Sequence, residues 1–291
     1  MPERKPPNLL FVFADQLGAE YMGCYGHPVV RTPNLDRLAG ESVFFRNAYT
    51  TSPLCTPFRG VLFTGRYPVQ TGILRNWQGL PAGETSLADR FEQGGYATSY
   101  VGKWHLADQT SGIWVPPEKR GGFRDFVGWD SGHVRHWDQK YFDGDDPTEL
   151  TLEGHETDAL TGQAIERLRR HAEGERPFCQ FVSYQAPHPV CEPPEEYHAL
   201  YRGQELALRP TVDHDARFTG YGDRYRCSID PVDWTERYYG EITHLDAALG
   251  RLLDEVDRLG LGENTILVFT SDHGDMGGAH GRFEKQAAYE E

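Results

Sequence analysis

The chain contains four short, mainly apolar runs, each ending next to polar residues. They lie at residues 8–14, 97–101, 178–183 and 265–271. Apolar runs of this length, without regular polar alternation, are typical of strands that are buried on both faces of a parallel sheet. The pattern predicts a largely parallel sheet at the centre of the molecule.

Helical patterns fall between these runs. They lie at residues 34–39, 57–64, 86–93, 158–171 and 235–259. In the last of them, apolar residues from Tyr238 to Leu259 recur three and four positions apart, which is the spacing of one apolar helix face. Alternating strands and helices predict an α/β fold, a three-layer α/β/α sandwich. In such sheets ligands bind beyond the carboxyl ends of the strands.

Two long stretches show no clear periodicity. Residues 108–156 and 190–233 are rich in Gly, Pro, Asp and Trp. We interpret them as long insertions over the active-site face, where they are expected to carry substrate selectivity.

The charge balance excludes some classes of partner. The 291 residues include 44 acidic and 29 basic side chains, a formal net charge of -15. A field of this sign repels nucleic acid and anionic membrane surfaces. No apolar run approaches the roughly 20 residues of a membrane span. An anionic substrate would therefore need a local cluster of cationic side chains.

The cysteines and the start of the chain bear on its compartment. The five cysteines have no short repeated spacing, so neither a disulfide framework nor a zinc knuckle is predicted. The start leads into the first strand without a signal-peptide core. A cytoplasmic location is expected, with a periplasmic or secreted location open if a signal was removed.

Polar pairs follow the first and the last strand. Asp15 and Gln16 follow one, and Asp272 and His273 follow the other. Oxygen ligands with one imidazole suit Ca²⁺, Mg²⁺ or Mn²⁺ better than a structural zinc ion. The alternative is that each Asp merely caps the next helix.

A cysteine precedes the second predicted helix, in the sequence Cys55-Thr56-Pro57-Phe58-Arg59. Pro57 suits the first turn of a helix. Cys55 would then lie at a helix N-terminus, where backbone N–H groups and the helix dipole favour an anion. The alternative is a small buried apolar residue.

The pattern Cys-x-Pro-x-Arg, continuing to Leu62-x-Thr64-Gly65-Arg66, resembles the signature of the type I, formylglycine-dependent sulfatases of the alkaline phosphatase superfamily. Further stretches are similar to the same family, in the family's order and over essentially the whole chain. They are Thr32-Pro33-Asn34-Leu35-Asp36, Gly102-Lys103-Trp104-His105, Pro187-His188, and Ser271 to Asp275 with His280-Gly281 and Lys285.

The resemblance implies an alkaline-phosphatase-like sheet. It also implies that residues 1–291 form the N-terminal catalytic domain, without the smaller C-terminal subdomain that follows in the family. Cys55 would be converted to formylglycine by a maturation enzyme. Asp15, Gln16, Asp272 and His273 would bind a divalent metal together with residue 55, with Ca²⁺ expected and Mn²⁺ or Mg²⁺ open.

The resemblance also assigns catalytic roles. Arg59 would hold the formylglycine, and Lys103 and Lys285 would bind the sulfate oxygens. His188 or His105 would move the proton of the leaving alcohol or of the nucleophile. Three cationic side chains and a metal would meet the need for local positive charge.

Two residues depart from the family pattern. Phe58 stands where Ser is most frequent, which affects how a maturation enzyme would recognise the signature. Gln16 stands where many members carry a second Asp; Gln at this position with a later Asp-His pair resembles the choline sulfatase and phosphonate monoester hydrolase branch. The pair Lys103 and His105 instead favours sulfatases, since those hydrolases generally have uncharged residues there.

The predicted function is hydrolysis of a sulfate monoester, with a sulfated carbohydrate as the preferred substrate and aryl and choline sulfates open. This preference comes from tryptophans that would stack on sugar rings, namely Trp114, Trp129, Trp137 and Trp234. The alternatives are phosphonate monoester or phosphodiester hydrolysis, and an inactive truncated fragment with a binding role.

Overall fold

The computed structural model describes residues 5–110, 113–131, 135–212 and 230–286. Within these ranges seven strands form one sheet in the order β5-β4-β3-β2-β6-β1-β7. The strands are β1 (Asn8–Asp15), β2 (Ala97–Lys103), β3 (Asp125–Trp129), β4 (Lys140–Asp143), β5 (Leu150–Thr151), β6 (Phe178–Pro187) and β7 (Thr265–Ser271).

Five neighbouring strands of the sheet are parallel. Strand β1 pairs with β6 on one side and with β7 on the other, and β2 pairs with β6 and β3. Strands β4 and β5 add an antiparallel edge. Because β1, β2, β6 and β7 run in the same direction, their carboxyl ends meet at one edge of the sheet.

Helices cover both faces of the sheet. They are α1 (Pro33–Gly40), α2 (Cys55–Thr64), α3 (Pro68–Thr71), α4 (Leu87–Gln93), α5 (Glu156–Glu173), α6 (Glu195–His198) and α7 (Pro231–Arg258). Val12 belongs to a core formed with α1, α5 and α7, whereas its neighbour Phe13 belongs to a second core formed with α2 and α4. Successive strand residues point to opposite faces. The predicted three-layer α/β/α sandwich is confirmed.

All five predicted helices begin one to four residues away from their predicted starts, and α7 differs most. Helix α2 begins at Cys55, two residues before the predicted start. Helix α7 begins at Pro231 because the side chain of Asp230 accepts a hydrogen bond from the backbone N–H of Val232, with Pro at the first helical position. The Asp-Pro pair that caps the helix is visible in the sequence, and the observed helix is about one turn longer at its N-terminus than the predicted one.

The interpretation of residues 108–156 as an irregular insertion is wrong in part. Strand β3 lies within this range and pairs with β2, and β4 and β5 extend the sheet from it. These strands have five, four and two residues and include Gly128, so none produces a recognisable periodicity. Of residues 190–233, the range 213–229 lies outside the described residues, and α6 and the start of α7 occupy part of the rest.

Two further expectations concern cysteines and membranes. Cys24, Cys55, Cys179 and Cys191 are free thiols, and Cys227 lies outside the described residues. No helix in the described part of the chain has both the length and the apolar character of a membrane span.

Candidate active site

The carboxyl ends of four strands supply the site. Asp15 is the last residue of β1 and Lys103 the last residue of β2, while His188 directly follows β6 and Asp272 directly follows β7. Asp15 and Asp272 are fully buried. The sheet topology therefore brings together side chains that are separated by up to 257 positions in the sequence.

Cys55 lies next to these strand ends, at the first position of α2. Its Sγ is 3.4 Å from Oδ1 of Asp15 and 3.4 Å from Nε2 of His273. One ligand atom from each of Asp15, Cys55, Asp272 and His273 lies within 4.8 Å of the others, and all four residues are buried. We call these four residues the central cluster.

The central cluster suits a divalent cation. It offers two carboxylates and one imidazole, the hard-leaning donor set that oxygen-preferring cations take. Oδ2 of Asp272 is buried and has no hydrogen-bond partner in the described structure. A buried carboxylate oxygen without a partner is costly unless a cation or water satisfies it.

Gln16 lies beside the cluster, but its side chain contacts other residues. Its Oε1 accepts a hydrogen bond from Nζ of Lys285 at 2.5 Å, and its Nε2 donates to Oδ2 of Asp275 at 2.5 Å. Its backbone N–H donates to Oδ1 of Asp272 at 2.9 Å. The role of Gln16 as a metal ligand remains a prediction.

Three cationic side chains surround Cys55. Nζ of Lys285 lies 3.3 Å from the sulfur and Nζ of Lys103 lies 4.0 Å from it. Lys103 also contacts Oδ2 of Asp15 at 2.5 Å, and Nη2 of Arg59 lies 3.4 Å from the same oxygen. Arg59 is fully buried, so it is not a solvated surface charge. The local positive charge expected from the sequence is present within a chain of net charge -15.

The two carboxyls of the cluster differ in their proton affinity. Burial alone would raise the pKa of Asp15, but Lys103 and the neighbouring cationic groups hold this pKa well below its usual value. Burial, reinforced by the negative charge of Asp15, raises the pKa of Asp272 to about 7. The two buried carboxylates therefore repel each other near neutral pH, which a shared cation would relieve.

A family model described as Sulfatase matches residues 7–291 of this chain. The chain belongs to the sulfatase family.

Individual sulfatases are similar to it over nearly its whole length. An ulvan-active sulfatase from Formosa agariphila is 37% identical over 292 residues, covering 99% of this chain and 55% of that protein. An N-acetylglucosamine-6-O-sulfatase from Bacteroides thetaiotaomicron is 25% identical, with 99% of this chain and 62% of that protein covered. The chain thus spans a little more than half the length of these sulfatases.

The fold of this sulfatase domain also matches a solved structure. The YidJ protein from Bacteroides fragilis superposes with a TM-score of 0.82 at 30% identity, over 96% of this chain and 64% of that protein.

Two histidines of the sulfatase domain adjoin the cluster. Both ring nitrogens of His105 are buried without a hydrogen-bond partner among the residues described. Nδ1 of His188 lies 2.5 Å from the carbonyl oxygen of Pro189. Since a carbonyl oxygen only accepts, Nδ1 carries a proton and Nε2 is the nitrogen able to exchange one. Burial lowers the pKa of both imidazoles, and the charges of Lys103 and Lys285 lower it further.

Other residues of the candidate site were not singled out from the sequence. Asp275 holds Gln16, and its Oδ1 accepts a hydrogen bond from the backbone N–H of Gly277 at 2.7 Å. The hydroxyl of Tyr238 donates to the carbonyl oxygen of Gln16 at 2.6 Å, which helps to hold Gln16 at a φ of 70°. Asp275 stands three positions after Asp272, so the motif contained a signal for it. Tyr238 resembled an ordinary residue of the apolar face of α7.

The support of Arg59 was also not evident from the sequence. Its Nη1 donates to Oγ of Ser183 at 2.8 Å and to the hydroxyl of Tyr100 at 3.2 Å, and it contacts the carbonyl oxygen of Lys103. These partners lie on β2 and β6. Arg59 therefore links α2 to both strands.

Proposed function

We propose that this protein hydrolyses sulfate monoesters of carbohydrates, with Cys55 converted to formylglycine and Ca²⁺ as the expected metal. The observation that carries the proposal is the position of the Cys55 side chain. Its sulfur lies 3.3 Å from Nζ of Lys285, 4.0 Å from Nζ of Lys103 and 3.4 Å from Oδ1 of Asp15.

The metal would be held by Asp15, Asp272 and His273, with the side chains of residue 55 and Gln16 completing the set. A divalent cation at such a site lowers the pKa of a bound hydroxyl and offsets charge on the sulfate group. Arg59 and Lys103 hold the carboxylate of Asp15 in place through contacts at 3.4 and 2.5 Å.

Formylglycine, when hydrated, supplies two hydroxyls on one carbon, so that one can attack sulfur and loss of a proton from the other can release the sulfate. The two lysines are placed to contact sulfate oxygens, because their Nζ atoms flank the side chain that makes this attack. In its neutral form His188 has an unprotonated Nε2, so it is placed to take the proton of the attacking hydroxyl and pass it to the leaving alcohol. His105, with both ring nitrogens unpaired in the described structure, is placed to move a second proton.

The name of one relative and the exposed side chain of Trp137 both favour a carbohydrate substrate. One relative is named for N-acetylglucosamine, a sugar. Trp137 is 41% exposed and offers an indole face on which a sugar ring can stack. The other tryptophans contribute less than the sequence suggested, because Trp129 and Trp234 are buried in the core and Trp114 is half-buried.

Phosphonate monoester or phosphodiester hydrolysis is the alternative, and Gln16 is the residue that favours it. Against it stand Lys103 and His105, which add positive charge and proton-transfer capacity beside residue 55. A phosphonate monoester and a sulfate monoester both carry one negative charge at neutral pH but differ in the atom that is attacked, so esters with the same leaving group can distinguish the two activities in one preparation.

The experiment uses protein produced together with a formylglycine-generating maturation enzyme. Mass spectrometry of the peptide containing residue 55 measures conversion of the thiol to the aldehyde. The same preparation is then assayed with matched sulfate, phosphonate and phosphodiester substrates, and Cys55→Ala is the inactive control. We expect aldehyde at residue 55 and a preference for sulfate esters.

Two outcomes would contradict the proposal. A large preference for the phosphonate would replace the sulfatase assignment with the alternative. If fully converted, metal-loaded protein turned over none of the three esters while a longer version did, the 291-residue chain would have at most a binding role.

A further inference from the structure

A second group of buried titratable side chains lies behind His188. It contains His136 and His155, which are connected to Glu156 at the start of α5 and to Glu241 on α7. All four residues are buried. We call them the histidine network. The mechanism described above uses none of them.

The geometry of the network argues against a second metal site, although His136, His155 and Glu241 lie close enough to share an ion. Nδ1 of His136 lies 3.0 Å from Oε1 of Glu156, and its Nε2 lies 2.7 Å from the carbonyl oxygen of His188. Nδ1 of His155 accepts from the backbone N–H of Thr157, and its Nε2 faces Oε1 of Glu241 at 3.4 Å. Neither imidazole has a free lone pair for a metal.

The contacts of His136 define its protonation. A carboxylate oxygen and a carbonyl oxygen both accept hydrogen bonds, so both ring nitrogens of His136 must donate. The ring is therefore an imidazolium. Burial would lower its pKa, but the charges of Glu241 and Glu156 raise this pKa to about 10. The Glu241 carboxyl is correspondingly ionised, because the neighbouring histidines outweigh burial and lower its pKa to about 2.

The imidazolium of His136 donates a hydrogen bond to the backbone carbonyl of His188. Two neighbours of His136 also contact the segment that follows β6. Arg135 forms a bidentate ion pair with the side chain of Glu192, and Nε1 of Trp137 donates to the carbonyl oxygen of Glu192 at 2.8 Å. The contact of His136 differs from these because it lies at the residue that carries the reactive imidazole.

We propose that His136, held as an imidazolium by Glu156, is a positioning residue for His188. Nε2 of the His136 imidazolium donates a hydrogen bond that fixes the backbone carbonyl of His188. The contact of Nδ1 of His188 with the carbonyl oxygen of Pro189 fixes the His188 ring. Together they direct Nε2 of His188 towards the leaving group. The inference rests on the proposed function, because it assigns His188 the transfer of a proton to the departing alcohol.

The test compares leaving groups. Departure of 4-nitrophenolate needs little help from an acid, whereas departure of a sugar or alkyl alkoxide needs a proton. In His136→Gln and Glu156→Gln we expect kcat for a sugar sulfate to fall by roughly tenfold, a fraction of the usual contribution of a general acid, and kcat for 4-nitrophenyl sulfate to change little. KM should change little for either substrate.

A double-mutant cycle separates positioning from general damage to the fold. In a His188→Gln background, adding His136→Gln should cause almost no further loss, because the residue that it positions is already gone. His171→Gln is the matched control, since His171 is a half-buried histidine near the other end of α5 that bonds to Ser99. It should affect both leaving groups alike or neither.

Losses in His136→Gln that are equal for both leaving groups, or that add fully to those of His188→Gln, would overturn the inference while the sulfatase assignment stands. Turnover by the wild-type protein tests that assignment separately. NMR of ¹⁵N-histidine-labelled protein gives a readout that is independent of turnover. The ring signals of His188 should shift in Glu156→Gln and stay in place in His171→Gln, and an unshifted His188 signal would also overturn the inference.

Discussion

Nζ of Lys103 lies 2.5 Å from Oδ2 of Asp15, and both side chains are almost completely buried. This ion pair joins the ends of β1 and β2, which are not adjacent in the sheet, since β6 lies between them. A buried carboxylate is stable there only because cations compensate its loss of hydration. The same lysine is 4.0 Å from the sulfur of Cys55, so it serves both the carboxylate and the reacting centre.

Lys103→Met should therefore reduce catalysis strongly. The substitution keeps most of the side-chain volume but removes the charge that faces both Asp15 and the sulfate oxygens. We expect kcat/KM for a sulfate ester to fall by about 10²–10³, the usual cost of losing one electrostatic donor in an active site. Lys140→Met, at a largely exposed position, is the control and should leave kcat/KM unchanged. Near wild-type activity in Lys103→Met would contradict the role given to this residue.

Asp272 provides a test of the metal site that does not depend on activity. A cation that binds the folded state at about 100 times its dissociation constant adds about 2.7 kcal/mol of stability. The wild-type Tm should then rise by roughly 4–5 °C when Ca²⁺ is added to chelator-treated protein. Asp272→Asn should lose most of this rise, and Asp254→Asn, at an exposed carboxylate, should keep it. Comparing Ca²⁺ with Mn²⁺ and Mg²⁺ in the same scans identifies the preferred ion, and no response to any of them would exclude the site.

Gln16 is the residue where a change of one atom has the clearest expected effect. In Gln16→Glu the donor to Asp275 becomes an acceptor, and two carboxyl groups face each other at the site of a 2.5 Å contact. We expect the free energy of unfolding to fall by about 1–3 kcal/mol. Burial already raises the pKa of Asp275 to about 7, so the two groups can share a proton below neutral pH. The loss measured by urea unfolding should hence grow as the pH rises from about 5 to about 8.

Gln93→Glu is the control for that measurement. Gln93 is exposed at the end of α4, and its Oε1 accepts from Arg90, which a carboxylate does equally well. Its stability should stay close to wild type at every pH. A pH-independent loss in Gln16→Glu would indicate ordinary packing damage rather than repulsion between carboxylates.

The four longest strands of the sheet were predicted because the apolar runs that specify them are local in the sequence. Strand β7 was predicted with its observed ends, since a β-branched and apolar run stops at a polar pair there. Strands β3 to β5 were missed for the opposite reason. Strand β3 is buried, but it holds only five residues, and its place in the sheet comes from pairing with Gly102 and its neighbours on β2. That pairing is a tertiary contact that no local pattern records.

The candidate site likewise contains residues that the sequence predicted and contacts that it did not. Asp15 and Asp272 were found because a strand end predicts where a ligand lies, and the structure brings them within reach of Cys55. The contacts of His136 with Glu156 and with His188 were not predictable. They join a loop, a helix start and a strand end, and a single histidine in a long aperiodic stretch gives no indication of such partners.

Trp137 tests the choice of a carbohydrate substrate. Its indole is 41% exposed and packs edge-on against His155, which fixes the ring. Trp137→Ala should raise KM for a saccharide sulfate by about 3–10-fold, the value of one aromatic contact. Trp137→Phe keeps a ring while losing the bond to Glu192, so it should retain most of the affinity. KM for a small aryl sulfate should hardly change, and an equal rise for both substrates would argue against a sugar subsite at this position.

The imidazolium of His136 should also appear in the pH dependence of stability. Its pKa in the folded protein, about 10, lies above its ordinary value of 6.5, so the folded state retains a proton that the unfolded chain releases. The stabilisation is fully present below about pH 6.5 and is lost as the pH rises through about 10. Between about pH 7 and pH 9 the wild-type unfolding free energy should therefore decline more steeply than that of His136→Gln, by up to about 1.4 kcal/mol per pH unit. Parallel slopes for the two proteins in urea unfolding would mean that His136 is neutral when folded. Its bonds to Glu156 and to the carbonyl of His188 would then need another explanation.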